Sequence, residues 1–275
     1  MVATTTLPVN DAAHVYDEYA PQYDRLLEEN RINAYMRRAM SQALLSTFEP
    51  GNRLIELGCG TGDEALALAS HRCELFAFDP SPRMIEIARQ KADEHRMGRN
   101  VRFFVGRAAD LSRELAKASP GIQFDGAYAS FSLSYERDLQ PVSQALAPWI
   151  RPNGRLVIAT MNRLCGTELA AAILSGHPRL AGRRLSERTL HKVGQYATPV
   201  FPRTTREVVK SVSHHFVFED VRALPAILPP HYANRALARW PMVLDMLSEL
   251  DPHLGMLPLL RWLGDHNLVR FRRRG

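Results

Sequence analysis

The residues best suited to chemistry are concentrated in one stretch, Leu54-Ile55-Glu56-Leu57-Gly58-Cys59-Gly60-Thr61-Gly62. Three glycines alternate with other residues directly after an apolar run. Glycine tolerates left-handed backbone and lets a ligand approach main-chain N–H groups at the start of a helix. The spacing G-x-G-x-G differs from the G-x-G-x-x-G of dinucleotide binders, and no G-x-x-x-x-G-K-S/T phosphate loop occurs in the chain. Asp79 follows 21 residues after Gly58, at the end of a second apolar run. A carboxylate there can accept hydrogen bonds from both hydroxyls of a ribose, and its charge repels a 2′-phosphate. The bland alternative is a turn or capping aspartate before Pro80. Turn and carboxylate together predict a ligand that carries a nucleoside.

Those groups need elements to hold them. Residues 53–57 read as a strand, 63–70 as a helix and 74–78 as the next strand. Ser81 then reads as an N-cap and Pro82 as the first helical residue, with Met84, Ile85, Ala88 and Ala92 on one face. The alternation continues with strand 101–105, helix 111–118, strand 124–129, helix 139–150 and strand 155–160, the last preceded by a Pro152-Asn153-Gly154 turn. Repeated βα units with continuously apolar strands predict a doubly wound α/β fold, its parallel sheet covered on both faces. Two helices, around 12–27 and 32–47, precede the sheet. Residues 162–203 and 225–262 interrupt the rhythm, the first with a helix around 166–174 and a basic patch at Arg179, Arg183 and Arg184. Between and after them come helix 205–212, strand 216–221 and a last strand at 267–272.

Taken together, these residues resemble the class I S-adenosylmethionine-dependent methyltransferases, closest to the small-molecule type acting on quinones and natural products. The resemblance spans residues 12–161 and, more loosely, the final strands. It is carried by Tyr16-Asp17, Ala20 and Tyr23-Asp24, by Glu56, Gly58, Gly60 and Gly62, by Asp79 with Met84, by 104–111 and 124–133, and by Arg151-Pro152-Asn153-Gly154-Arg155. It implies a Rossmann-like, mostly parallel seven-stranded sheet with amino-terminal lid helices and a helical insertion before the last strand. The whole chain, 1–275, would form a single methyltransferase domain. Residues 1–50 would supply lid helices, 51–161 the cofactor-binding core, and 162–275 the end of the sheet with its two insertions.

The resemblance also implies roles. S-adenosylmethionine would be the cofactor and S-adenosylhomocysteine the product, with no metal. Gly58, Cys59, Gly60 and Gly62 would pack against its methionine portion and ribose, and Glu56 would help orient its amino group. Asp79 would take the ribose hydroxyls, with Pro80 and Met84 beside the adenine and Ala108 and Ala109 along its edge. Ser130 and Phe131 would lie under the methionine end, and Tyr23 would close from the lid. The Gly-Asp-Ala common after strand three is Gly106-Arg107-Ala108 here, which puts side-chain contacts of that loop in doubt.

A sulfonium methyl is already activated, so alignment of the acceptor dominates catalysis, helped by cation–π contact from Tyr23 and Phe131. A hydroxyl or amine acceptor also calls for a base. The histidines to weigh are His14, His214, His215, His231 and His266, and His231, which opens the second insertion, is the candidate. No N/D-P-P-Y/F follows strand four, and no magnesium-binding aspartate cluster, paired-glutamate loop or RNA-binding module is recognisable. The apolar insertion, with Leu224, Ile227, Leu228, Leu237, Trp240, Met242, Val243, Met246 and Leu247, reads either as core or oligomer interface, or as the roof of an apolar pocket. A bulky acceptor of natural-product, terpenoid, polyketide or quinone-like character follows. Arg179, Arg183 and Arg184 read as a solvated helix end or as a holder for an anionic substituent.

Composition sets outer bounds. The 275 residues are ordinary globular in usage, 45% apolar and 23% charged, which excludes disordered and low-complexity classes. The net charge of +6 is diffuse, and Cys59, Cys73 and Cys165 lack the spacing of a zinc site or disulfide framework. No apolar run is long enough to span a bilayer, and residues 1–10 lack the basic and apolar regions of an export signal, so a cytoplasmic enzyme is expected. Expected partners are a small-molecule acceptor, no nucleic acid and no integral membrane association, with homo-oligomerisation left open. The competing readings are an RNA or protein methyltransferase, a non-catalytic S-adenosylmethionine-binding protein, and a methyl transfer that triggers rearrangement of the acceptor.

Overall fold

The computed structural model describes residues 8–119, 121–176, 182, 184–234 and 239–275, without the side chains of 174, 175 and 232. Arg179, Arg183 and Leu237, together with 1–7, lie outside the described residues. Helices α1 (Ala12–Glu29) and α2 (Arg31–Leu45) lead into four βα repeats and a fifth strand: β1 (Arg53–Leu57), α3 (Asp63–Ser70), β2 (Glu74–Asp79), α4 (Pro82–Glu94), β3 (Val101–Val105), α5 (Leu111–Ala118), β4 (Phe124–Ser130), α6 (Gln140–Leu146) and β5 (Ile150–Met161). Then come α7 (Gly166–Ser175), β6 (Thr189–Val193), β7 (Tyr196–Val200), α8 (Thr205–Val212), β8 (Phe216–Leu224), α9 (Pro241–Leu254) and β9 (His266–Arg273).

The main sheet has seven strands in the order β3-β2-β1-β4-β5-β9-β8. The first five are parallel and β9 runs antiparallel to both its neighbours. The apolar runs explain this, since β1 and β2 are buried almost throughout and must be covered on both faces. Alternate residues feed opposite cores. Leu54, Leu75 and Val157 join Met40, Leu44, Leu68 and Ile85 on the side of α2, α3 and α4. Ile55, Phe76 and Ile158 join Leu111, Leu115, Val142 and Val208 on the side of α5, α6 and α8. From β1 the chain winds outward to β3, then returns to β4 on the other side. The switch point therefore lies between β1 and β4, at the carboxyl edge where open α/β sheets bind ligands. Because β9 is antiparallel, its first residue, His266, pairs with Met161 at that same edge.

The helix expected at 139–150 is shorter, and β5 starts earlier than residue 155. Ile150 pairs with Phe124, and the Pro152-Asn153-Gly154 turn is carried inside the strand with Asn153 at φ 65°. The first insertion contains a hairpin, β6–β7, as well as the expected helix.

Described residues of the second insertion pack as core or lie exposed, as the core reading expected. Leu228 and Leu244 pack with Ile32, Tyr35 and Met36 as core, while Met242 and Trp240 are 84% and 64% exposed. One buried carboxylate fastens this segment. Asp251 Oδ1 accepts the main-chain N–H groups of Ala226, Ile227 and Leu228 at 2.9, 2.7 and 3.2 Å, and Oδ2 accepts the Tyr35 hydroxyl at 2.7 Å. Removing it leaves several buried donors unpaired, each costing about 1–3 kcal/mol. Asp251→Ala should therefore lose about 3 kcal/mol or more in urea denaturation, and a loss below about 1 kcal/mol would show that the staple is idle.

Candidate active site

The glycine turn closes the carboxyl end of β1. Gly58, Gly60 and Gly62 have φ of +73°, +53° and +86°, which only glycine adopts without strain. Gly58 and Cys59 both donate to Phe78 O, at 2.7 and 3.0 Å. A Cβ at Gly58 would lie 2.2 Å from Ser132 Cβ, whereas at Gly60 it would meet only Tyr23 Cε1 at 3.7 Å. The turn is thus tight against the protein at Gly58 and open at Gly60, the shape of a cradle for a ligand.

Asp79 ends β2 beside this turn. Its Oδ2 accepts Gly60 N–H at 2.8 Å and its Oδ1 accepts Ser81 N–H at 2.9 Å. Burial pushes its carboxyl up to about 6 despite those two donors. Ser81 caps α4 through Met84 N–H at 3.1 Å, as the Ser-Pro pair predicts. The Ser81 hydroxyl in turn donates to Asp17 of α1 at 2.6 Å, and Arg83 N–H donates to the same oxygen at 3.0 Å. Asp24, one helical stretch further on, accepts Thr61 Oγ1–H at 2.5 Å and pairs with Lys91 at 3.0 Å. Two aspartates of α1 therefore tie it to the start of α4 and to the glycine turn.

Behind the turn lie two more carboxylates. Glu56 accepts the Tyr128 hydroxyl at 2.9 Å, and Glu64 pairs with Arg37 at 2.9 Å. Burial raises both carboxyls above the ordinary range; neighbouring Glu64 adds to the effect at Glu56, and Arg37 opposes it at Glu64. Oε1 of each is buried without a hydrogen-bond partner among the described residues. Arg37 stands between Glu64 and Asp63, at 2.9 and 3.1 Å, so this wall carries more acidic than basic groups.

A cavity of about 160 Å³ opens here, lined by Tyr23, Gly58, Cys59, Gly60, Asp79, Pro80, Met84, Ser130 and Phe131 among the expected residues. Gly62 is set back, packing on Ala88 and Phe103. Glu56, Ala108 and Ala109 also stand outside the lining, which at that edge is formed by Arg107 and Asp11, an ion pair. Arg37, Glu64 and Tyr135 line it as well. Sequence reasoning missed them because each reads as a routine face of its helix or loop.

A second cavity, about 140 Å³, adjoins the first and shares Tyr16, Tyr23, Arg37, Phe131 and Tyr135 with it. Leu27, Met36, Met161 and Val200 make its apolar wall, and His191, His231 and His266 its polar corner. Of the second insertion's residues, His231 alone among those described reaches this wall; the apolar set expected to roof the pocket does not. His14, His214 and His215 line neither cavity. His191, on the unforeseen β6, was not singled out in the sequence. Arg184 is neither solvated nor free for an anionic substituent: it is 4% exposed and paired with Glu168 and Asp265. Among the described residues no group of three or more His, Cys, Asp or Glu could hold a metal, and no helix is long and apolar enough to cross a membrane.

Residues 55–156 match the family model of a methyltransferase domain. Those residues form a methyltransferase domain. Curated relatives agree in kind: it is 34% identical over 112 residues to O-methyltransferase rstn1 of Aspergillus nomiae, covering 40% of this chain and 47% of the relative. It is 33% identical over 149 residues to demethylmenaquinone methyltransferase of Thermus thermophilus, covering 52% and 63%. The chain thus spans about half to under two-thirds of the length of these relatives. Among solved structures, geranyl diphosphate C-methyltransferase of Streptomyces coelicolor superposes with a TM-score of 0.55 at 16% identity, covering 97% and 88% of the two chains; the likeness is one of fold. The methyltransferase match includes the glycine turn, Asp79, Ser130 and Phe131. It leaves out α1, α2 and everything after residue 156, which supply most of the second cavity.

Proposed function

We propose that this methyltransferase domain, read as one unit over 1–275, binds S-adenosylmethionine in the first cavity and methylates a bulky, largely apolar small molecule in the second. The observation that carries this reading is the shared partition: Tyr16, Tyr23, Phe131 and Tyr135 belong to both cavities, so two guests would meet across one aromatic frame. When bound, the sulfonium supplies a methyl group already activated for displacement. Asp79 accepts the ribose hydroxyls, Pro80 and Met84 flank the adenine, and the Gly58–Gly60 main chain carries the methionine portion. Glu64 and Arg37, which both line the cavity, would meet the amino group and the carboxylate, with Glu56 behind them. Tyr23 and Phe131, which line both cavities, would offer their rings to the sulfonium, where cation–π attraction is worth about 0.5–2 kcal/mol. The apolar wall of Leu27, Met36, Met161 and Val200 supports an aromatic, terpenoid, polyketide or quinone-like acceptor.

Calorimetric titration tests the first half. S-adenosylmethionine and S-adenosylhomocysteine should bind with micromolar affinity, and absence of heat with both would remove the reading. A panel of hydrophobic quinols, polyketide phenols and small polar alcohols tests the second. Turnover restricted to the small polar compounds would overturn the assigned acceptor class.

A further inference from the structure

Resting on that reading, we propose that His266 is the base that removes the acceptor's proton, that Asp265 positions it, and that the acceptor class is therefore a phenol or enol. Its surroundings separate His266 from its competitors. Its ring stands edge-on to Phe131, centroids 5.1 Å apart, and Phe131 belongs to the frame between the two cavities. His231 and His191 stand against each other, 5.4 Å between centroids, and His191 Nδ1 is 2.9 Å from the Tyr135 hydroxyl. The hydroxyls of Tyr16 and Tyr135 are bonded to each other, and burial raises both well above the ordinary phenol range, so they keep their protons.

Asp265 Oδ2 lies 2.8 Å from His266 Nδ1, a charge contact off the line of a straight hydrogen bond. That contact favours the proton on Nδ1 and leaves Nε2 as the basic nitrogen of a side chain that lines the cavity. Asp265 is held as a carboxylate: burial opposes ionisation, but Arg184, His266 and His231 pull its carboxyl far below the ordinary range. Arg184 is itself clamped by Glu168 and also donates to Asp265 O at 2.9 Å. The remaining sheet neighbours of His266, Met161 and Leu224, carry no charge. Among the described residues, the charged or titratable groups of its surroundings are Asp265, Arg184, Glu168 and Cys165 on one side and His231, His191, Tyr135, Tyr16, Tyr23 and Arg37 around the cavity. A neutral imidazole is matched to an acidic hydroxyl and not to an aliphatic alcohol. In the step, the acceptor O–H bond breaks and its proton passes to Nε2. The oxygen pair forms the O–CH₃ bond while the carbon–sulfur bond breaks and its pair stays on sulfur. The imidazolium then gives its proton to solvent.

The test uses 4-nitrophenol, whose phenolate absorbs in the visible, with the full chain saturated by S-adenosylhomocysteine. Bound to the native protein it should ionise with its pKa lowered by about one unit or more, as a partner imidazolium dictates. In His266→Gln the lowering should vanish, and in Asp265→Asn it should shrink, while S-adenosylhomocysteine titrations of both variants stay unchanged and certify folding. An unshifted pKa in the native protein, an undiminished shift in His266→Gln, or no binding of the phenol overturns the proposal. Failure of S-adenosylhomocysteine itself to bind overturns the methyl-transfer reading beneath it.

Discussion

An Asp79→Ala variant is expected to lose about 100- to 1000-fold in S-adenosylmethionine affinity, read by calorimetry. Hydrogen bonds to a charged acceptor contribute about 1.5–3 kcal/mol each, and the ribose offers two. The variant also strands the N–H groups of Gly60 and Ser81, which Asp79 now accepts. Asn at this position is not a neutral control, because its amide would turn an N–H group toward one of those donors. The same carboxyl makes binding pH-dependent. Burial raises it to about 6, so it is mostly ionised at pH 7 and takes up a proton as pH falls through 6. Cofactor affinity should then drop by up to about tenfold per unit below pH 6. Stability of the free protein runs the other way. A raised pKa contributes stability that is complete below the unfolded value of about 4 and lost as pH rises through 6. Glu56 and Glu64, also raised by burial, act in the same direction. Thermal melts between pH 4 and 7 should show the ligand's stabilisation growing with pH, and a pH-independent stabilisation would rule out Asp79 as the ribose acceptor.

Gly58→Ala should be the most damaging single methyl in the core. At φ +73° an L-residue costs about 1–2 kcal/mol. The new Cβ would also stand 2.2 Å from Ser132 Cβ, adding about 1–3 kcal/mol of overpacking. A loss of about 3 kcal/mol or more in denaturation, with cofactor binding abolished, is the expected result. Gly51→Ala separates the two causes, since φ is +88° there but nothing lies within 4 Å; only the backbone cost remains. Gly58→Ala combined with Ser132→Gly should recover part of the loss. Equal damage at both glycines would show that packing against Ser132 carries no weight.

The parallel core was legible because its strands are buried on both faces and so are written as unbroken apolar runs, and because Ser81-Pro82 marks a helix start by cap chemistry. The hairpin β6–β7 was not. Its residues alternate polar and apolar only briefly, Pro199 interrupts the second strand, and one glycine, Gly194 at φ +58°, marks the turn. The glycine turn and Asp79 of the first cavity were readable because they are local to two strand ends. The wall of the second cavity was not, because Leu27, Met36, Met161, His191 and His266 are brought together only by the tertiary fold. Arg184 shows the same limit: one member of an apparent surface patch turns inward because Glu168 and Asp265 are already there to meet it.

Helix α1 lends Tyr16 and Tyr23 to both cavities. On one side Asp17 ties it to the start of α4, and on the other Tyr19 closes against Gly194 of the hairpin turn. Such a helix cannot lift from one chamber without baring the other. Under the function proposed above, donor and acceptor would therefore share a single door, and exchange of either guest would interrupt the custody of its companion.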